Sequence, residues 1–169
     1  MQDELNLTPT SYIVLGLIDL GGEATPYGLK QFVARSVGHF WTLQHAQLYT
    51  EPARLAKAGY LAEEREEGGR RRKRYSITDK GRAALAEWRD TPTDAFAELR
   101  DPGLLKLFFG ADPAELATVQ LDAHRRKLAE YEELREADTG RGPRGPWITL
   151  ECGVLHERQM IAFWEDLAG

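Results

Sequence analysis

A single cysteine, Cys152, stands in the 169 residues. No internal disulfide framework is open to such a chain, and a reducing cytoplasm is the expected setting. No apolar run approaches the roughly 20 residues that a membrane span needs, and the N-terminus lacks a basic-then-apolar export pattern. No membrane partner is therefore expected. Gly-rich phosphate loops, metalloprotease motifs and nucleophile elbows are missing as well, so the chain is not read as an enzyme and no cofactor is assigned. Cys152 and His156 are four apart on one helical face, with His124 as a third candidate ligand. A lone Cys with scattered His residues more often serves packing and surface, and no metal is assigned.

Excess positive charge is absent too, the net charge being −5. Its distribution is informative. Residues 1–90 hold 13 Lys/Arg against 12 Asp/Glu, and residues 91–169 hold 9 against 15. The positive charge of the first half is concentrated between Arg70 and Arg74. An electrostatic footprint is local, so global acidity is compatible with a polyanionic partner. Hydrophobic content of 42% and charged content of 29% suit a globular chain with room for a core.

Thr8-Pro9 and Thr25-Pro26 are two helix starts of one type, a hydroxyl cap followed by Pro at the first helical position. Ile13, Val14, Leu17 and Ile18 follow the first, and Gly21-Gly22 stops it. Leu29, Phe32, Val33 and Val37 follow the second, which is expected to end near Gly38. Thr42 is read as the cap of a third helix whose buried line is Leu48 and Leu55, with Gly59 as its stop. Tyr60-Leu61-Ala62 opens a strand, Glu67-Gly68-Gly69 turns it, and Tyr75-Ser76-Ile77 returns. Thr78 caps the next helix. Three helices and a hairpin with five consecutive cations near its tip form the layout of a winged helix-turn-helix.

Asp90-Thr91-Pro92-Thr93 breaks the fourth helix, and the domain boundary is placed there, dividing the chain into 1–90 and 91–169. Asp101-Pro102 opens a further helix. Asp112-Pro113-Ala114-Glu115 is a capping pattern for a long helix to about Ala137. Leu116, Val119, Ala123, Leu128, Tyr131 and Leu134 are its expected apolar stripe. After a Gly/Pro-rich loop over residues 139–146, a last helix is expected from about Trp147 to Leu167. Its apolar stripe is wider than one small domain needs, which suggests a second copy of the chain as partner.

Three segments carry a resemblance: Leu7 to Lys30 with its Thr25-Pro26-Tyr27-Gly28-Leu29-Lys30; Leu48-Tyr49 through Arg54-Leu55 to Gly59-Tyr60-Leu61; and Tyr75-Ser76-Ile77-Thr78 with Gly81. At their spacing the chain resembles the PadR family of bacterial transcriptional regulators over roughly residues 7–88, and more loosely beyond. The resemblance implies a mainly α fold with a small β-hairpin, a winged helix-turn-helix N-terminal domain and a helical C-terminal dimerisation domain. It also implies repression, and for some members a response to phenolic acids. Two positions depart from the family pattern. Tyr27-Gly28 stands where Gly-Tyr is common, and Pro52 lies three residues beyond Tyr49 rather than directly after the Tyr. A Pro inside the third helix removes a hydrogen bond and is expected to kink it.

With Leu48 and Leu55 buried, 100° per residue places Thr42, Ala46, Thr50, Ala53 and Lys57 opposite, flanked by Gln47, Tyr49 and Arg54. Gln47 pairs bidentately with adenine, Thr42 and Thr50 reach base edges or phosphates, and Tyr49 holds a phosphate. Gln44 and His45 fall nearer the core line. Tyr27 is a phosphate contact at the start of the second helix. Arg70, Arg71, Arg72, Lys73 and Arg74 repel one another and make better sense beside a polyanion. A polar outer face and a charged hairpin are also what solvation alone produces. Phe108, Phe109, Trp147, Phe163 and Trp164 either pack a core or line a pocket for a small aromatic effector. The expected partners are double-stranded DNA and a second copy of the chain, bound at an inverted repeat. The rival is a winged helix used only for protein contacts, and the basic wing weighs against it.

Overall fold

The computed structural model describes residues 5–65 and 72–169. The chain divides into two compact units, Met1–Ala95 and Phe96–Gly169. In the first, helix α1 is Pro9–Gly21, strand β1 Glu23–Ala24, helix α2 Pro26–Ala34, helix α3 Gln47–Lys57, strands β2 Leu61–Arg65 and β3 Lys73–Ile77, and helix α4 Asp79–Asp90. In the second, α5 is Pro102–Phe108, α6 Pro113–Ala137 and α7 Arg144–Ala168. The protein is mainly helical.

Five of the seven α-helices among the described residues start on the hydroxyl and carboxylate caps that the sequence announces, while α7 follows Pro143 without a side-chain cap. Thr8 and Ser11 form a reciprocal capping box, Thr25 accepts from the Gly28 amide, and Thr78 accepts from the Gly81 amide. Asp101 and Asp112 each accept from two amides of the following turn. Helix α3 differs: Ala46 precedes it and offers no side-chain cap. Thr42 lies in the connection before α3, four residues ahead of that cap position, so its expected capping role is corrected. Helix α2 ends at Ala34 rather than near Gly38, and Val37–His39 forms a separate 3₁₀ turn. Helix α3 is continuous through Pro52, so the expected kink does not interrupt it.

Gly59 ends α3 with a left-handed φ of 81°. Its amide bonds the Ala56 carbonyl and the Tyr60 amide bonds that of Leu55, both at 3.0 Å. This Schellman closure turns the chain into β2. β2 pairs antiparallel with β3, with Leu61 opposite Ile77 and Glu63 opposite Tyr75. The hairpin is only part of the sheet. β1 pairs with the other edge of β3, making a three-stranded order β1-β3-β2. A two-residue strand is too short to leave a periodicity in the sequence. The first core joins Val14, Leu15, Leu17 and Ile18 of α1 with Leu29 and Val33 of α2, Leu48 and Leu55 of α3, and Tyr75 and Ile77 of β3. The turn at Glu67-Gly68-Gly69 lies outside the described residues.

In the second unit α6 and α7, each 25 residues long, pack on one another. Trp164, Ala117 and Leu121 are buried together, with Leu104, Leu107 and Met160 around them. The stripe expected on α6 is corrected in part. Val119 is 68% exposed and Ala123 is exposed, whereas Ala117, Leu121 and Tyr131 are buried. Helix α6 has apolar residues on two faces, and packing against α7 selects one of them. Between these helices His124 Nδ1 meets Glu157 Oε2 at 2.6 Å, while Cys152 and His156 are exposed.

Candidate nucleic-acid interface

The helix-turn-helix is α2 and α3, joined through the core by Leu29, Val33, Leu48 and Leu55. Burying Leu48, Glu51, Pro52 and Leu55 turns the opposite side of α3 outward by helical geometry. Gln47, Tyr49, Thr50 and Lys57 are exposed there, and Ala53 is half-buried. Thr50 Oγ1 donates to the Ala46 carbonyl at 3.2 Å, so its hydroxyl presents acceptor lone pairs outward. Gln47, the first residue of the helix, carries both a donor and an acceptor. Thr42 is exposed off the helix. Gln44 and His45, expected nearer the core, are exposed in the turn before α3, because the helix begins only at Gln47. Tyr27 is 60% exposed in the first turn of α2, and its hydroxyl accepts from Gln31 Nε2 at 3.2 Å.

Arg54, expected outward, keeps 36% of its side chain exposed but is held by partners within the protein. Its Nε donates to Glu51 Oε2 at 2.8 Å and its Nη2 to Glu51 Oε1 at 2.6 Å. Nη2 also reaches Ser11 Oγ at 3.0 Å, and Nη1 the Asn6 carbonyl at 3.3 Å. The reason is Glu51, a carboxylate on the buried side of α3, which requires a cation. Burial pushes the Glu51 carboxyl up, but the hydrogen bonds from Arg54 and Ser11 and the Arg54 charge outweigh it and hold it below the usual range. Sequence reasoning passed over Glu51 and Ser11. The available signal was a carboxylate beside the Leu48–Leu55 line with an Arg three residues on.

The wing is built on β2 and β3. Arg70 and Arg71 lie outside the described residues, and Arg72 is exposed immediately before β3. Lys73 Nζ lies 3.0 Å from Glu63 Oε1, and Arg74 pairs with Glu23 of β1. Hydrogen bonds from Lys73, partly opposed by desolvation, hold the Glu63 carboxyl below its usual range. Burial first, then the Glu63 carboxylate, pushes the Tyr75 hydroxyl up to about 12. Two of the basic residues thus stand beside carboxylates of the same sheet.

The five aromatics read as either core or pocket lining do not form a single cluster: Phe108 and Phe109 meet edge to face, and so do Phe163 and Trp164. Trp164 is fully buried, whereas Phe108 and Phe109 are 83% and 78% exposed. Trp147 and Trp164 sit on the same helix and are about 25 Å apart along its axis at 1.5 Å per residue. Among the described residues no group of three His, Cys, Asp or Glu is placed to hold a metal, and no helix is long and apolar enough to cross a membrane.

Comparison with known proteins agrees with this architecture. Residues 14–87 match the transcriptional regulator PadR-like family, and residues 99–168 match the virulence activator alpha C-terminal family. The negative transcriptional regulator PadR of Bacillus subtilis is 27% identical, over 92% of this chain and 93% of its own length. Its crystal structure in complex with operator DNA has a TM-score of 0.82 at 23% identity, covering 94% of this chain and 96% of that one. Its complex with p-coumaric acid has a TM-score of 0.75 at 21% identity, covering 96% and 97%.

Proposed function

We propose that this chain, whose residues 14–87 match the transcriptional regulator PadR-like family, is a homodimeric, sequence-specific repressor acting on an inverted-repeat operator in the bacterial cytoplasm. The observation that carries this reading is the outward face of α3, where Gln47, Tyr49, Thr50 and Lys57 are exposed on a helix whose other side is packed into the core. Gln47 reads adenine, Thr50 accepts from base amino groups, and Tyr49, Lys57 and Tyr27 grip phosphates. Thr42 contacts the backbone from the connection before the helix. Arg70, Arg71, Arg72, Lys73 and Arg74 supply affinity beside the groove. For the last two this requires DNA to compete with Glu63 and Glu23.

Two copies associate through residues 91–169. The exposed apolar residues Leu105, Phe108, Phe109, Val119, Leu155 and Phe163 supply the surface that association removes from water. A small aromatic acid releases the operator, a reading supported by the p-coumaric acid complex of the Bacillus relative. The test is selection of binding sites from random duplexes with the full chain, followed by footprinting. A palindromic site, protected less when p-coumarate is added, is expected. Enrichment of no sequence would leave the winged helix as a protein-contact module.

A further inference from the structure

At the end of helix α3 that presents Gln47 and Thr50, Leu48 is buried in the core and the first amides close on the carbonyls of Gln44, His45 and Ala46, but side-chain restraints are few. Ala46 supplies no side-chain cap, and Pro52 has no N–H to give to the carbonyl of Leu48 four residues earlier. Two ordinary restraints on the first turns are therefore missing. Glu51 and Arg54 flank that proline and form a closed network with α1. Ser11, fully buried, donates to Glu51 Oε1 at 2.7 Å and accepts from Arg54 Nη2 and from the Thr8 amide. Arg54 holds both Glu51 oxygens and the Asn6 carbonyl. Ser11 is at once part of the α1 capping box and a ligand of the ion pair.

We propose that Ser11, Glu51 and Arg54 are positioning residues for base reading: they lock the first turns of α3 to the start of α1 and set the angle at which Gln47 and Thr50 meet the bases. The inference rests on the DNA-binding reading above. A bidentate guanidinium–carboxylate pair fixes direction as well as distance, which a Lys–carboxylate pair does not. Phosphate grip tolerates small changes in helix angle, because it is carried by long cations and by charge. Base reading does not tolerate them, because bidentate hydrogen bonds to base edges depend on angle.

The experiment uses the full chain, a duplex that the wild type selects from a random library, and a scrambled duplex, each titrated with salt. Arg54→Lys keeps the charge and loses the fork. Glu51→Gln keeps the shape and loses the ion pair. Ser11→Ala removes the bridge together with the Ser11 half of the α1 capping box, and serves where Glu51→Gln does not fold, folding being followed by thermal unfolding. Each variant is expected to lower the ratio of selected to scrambled affinity by about tenfold, the scale of one hydrogen bond to a charged group. Scrambled-duplex affinity and the salt slope should stay as in the wild type. The double variant Glu51→Gln/Arg54→Lys should lose no more than either single one, because the three residues act as a unit. An unchanged ratio in folded variants overturns the proposal. So does wild-type behaviour of Arg54→Lys combined with a salt slope flattened by about 0.9 in Arg54→Gln, which is the signature of a phosphate contact. If the wild type selects no duplex, the DNA-binding reading itself fails, and this inference with it.

Discussion

Gln47 and Thr50 stand exposed one helical turn apart at the start of α3, and a base contact at either has a defined cost. Gln47→Ala and Thr50→Ala are each expected to relax preference at particular operator positions by about 1–3 kcal/mol, measured by binding to single-base operator variants. Equal weakening on every sequence would make them backbone contacts. Glu51 gives a pH dependence. Its carboxyl titrates below the ordinary value when folded, so its contribution to stability is complete above the unfolded pKa of about 4.3. The contribution is lost as pH falls from there through the folded value. The stability gap between wild type and Glu51→Gln, read by urea unfolding, should therefore be widest near neutral pH and narrow below about pH 4. Gly59 has a φ of 81°, where an added Cβ is strained. Gly59→Ala should cost about 1 kcal/mol of stability in the same measurement.

Elements add what single residues do not. The wing is a strand pair anchored by the buried Tyr75 and Ile77; Lys73 shares their face of β3 but is held at its edge by Glu63, so cations of the wing are replaceable with those two core residues kept. Replacing Arg71, Arg72 and Lys73 with Ala should weaken selected and scrambled DNA alike. It should flatten the dependence of log K on log salt by up to about 3 per wing if all three meet phosphates. A flattening near 2 would mean that Lys73 stays on Glu63, 3.0 Å away, when DNA is bound. An unchanged slope would place the wing clear of the backbone.

At the scale of the molecule, the second unit keeps a small core and a large exposed apolar surface. Light scattering at micromolar concentration should show a dimer, and removal of residues 112–169 should leave a folded, monomeric and weakly binding N-terminal unit. A monomeric full chain would sink the two-fold reading. The dimer should need half-sites about 34 Å apart, one DNA turn, or a multiple of it. Protection of one asymmetric half-site would contradict that spacing.

Helix starts and stops were legible in the sequence because a Thr-Pro, an Asp-Pro or a Gly after an apolar line acts within one turn of chain. The caps at Thr8, Thr25, Thr78, Asp101 and Asp112 are such local signals, and so is the stop at Gly59. The outward face of α3 was legible as well, since Leu48 and Leu55 set its phase. Pairing at long sequence separation was not. β1 has too few residues to announce itself, and its partner Tyr75 lies some fifty residues away. Arg54 looked outward by helical phase, and only the arrival of Glu51 beside Ser11 of α1, forty residues distant, turned its guanidinium inward. The aromatics of α5 and α7 looked like one cluster in composition. Rigid helical rise holds Trp147 far from Trp164. Local sequence determined where the capped helices begin, where α3 ends and which side of α3 is buried. Tertiary structure decided which charges are spent inside the protein, because a buried carboxylate takes whatever cation the packing brings within reach.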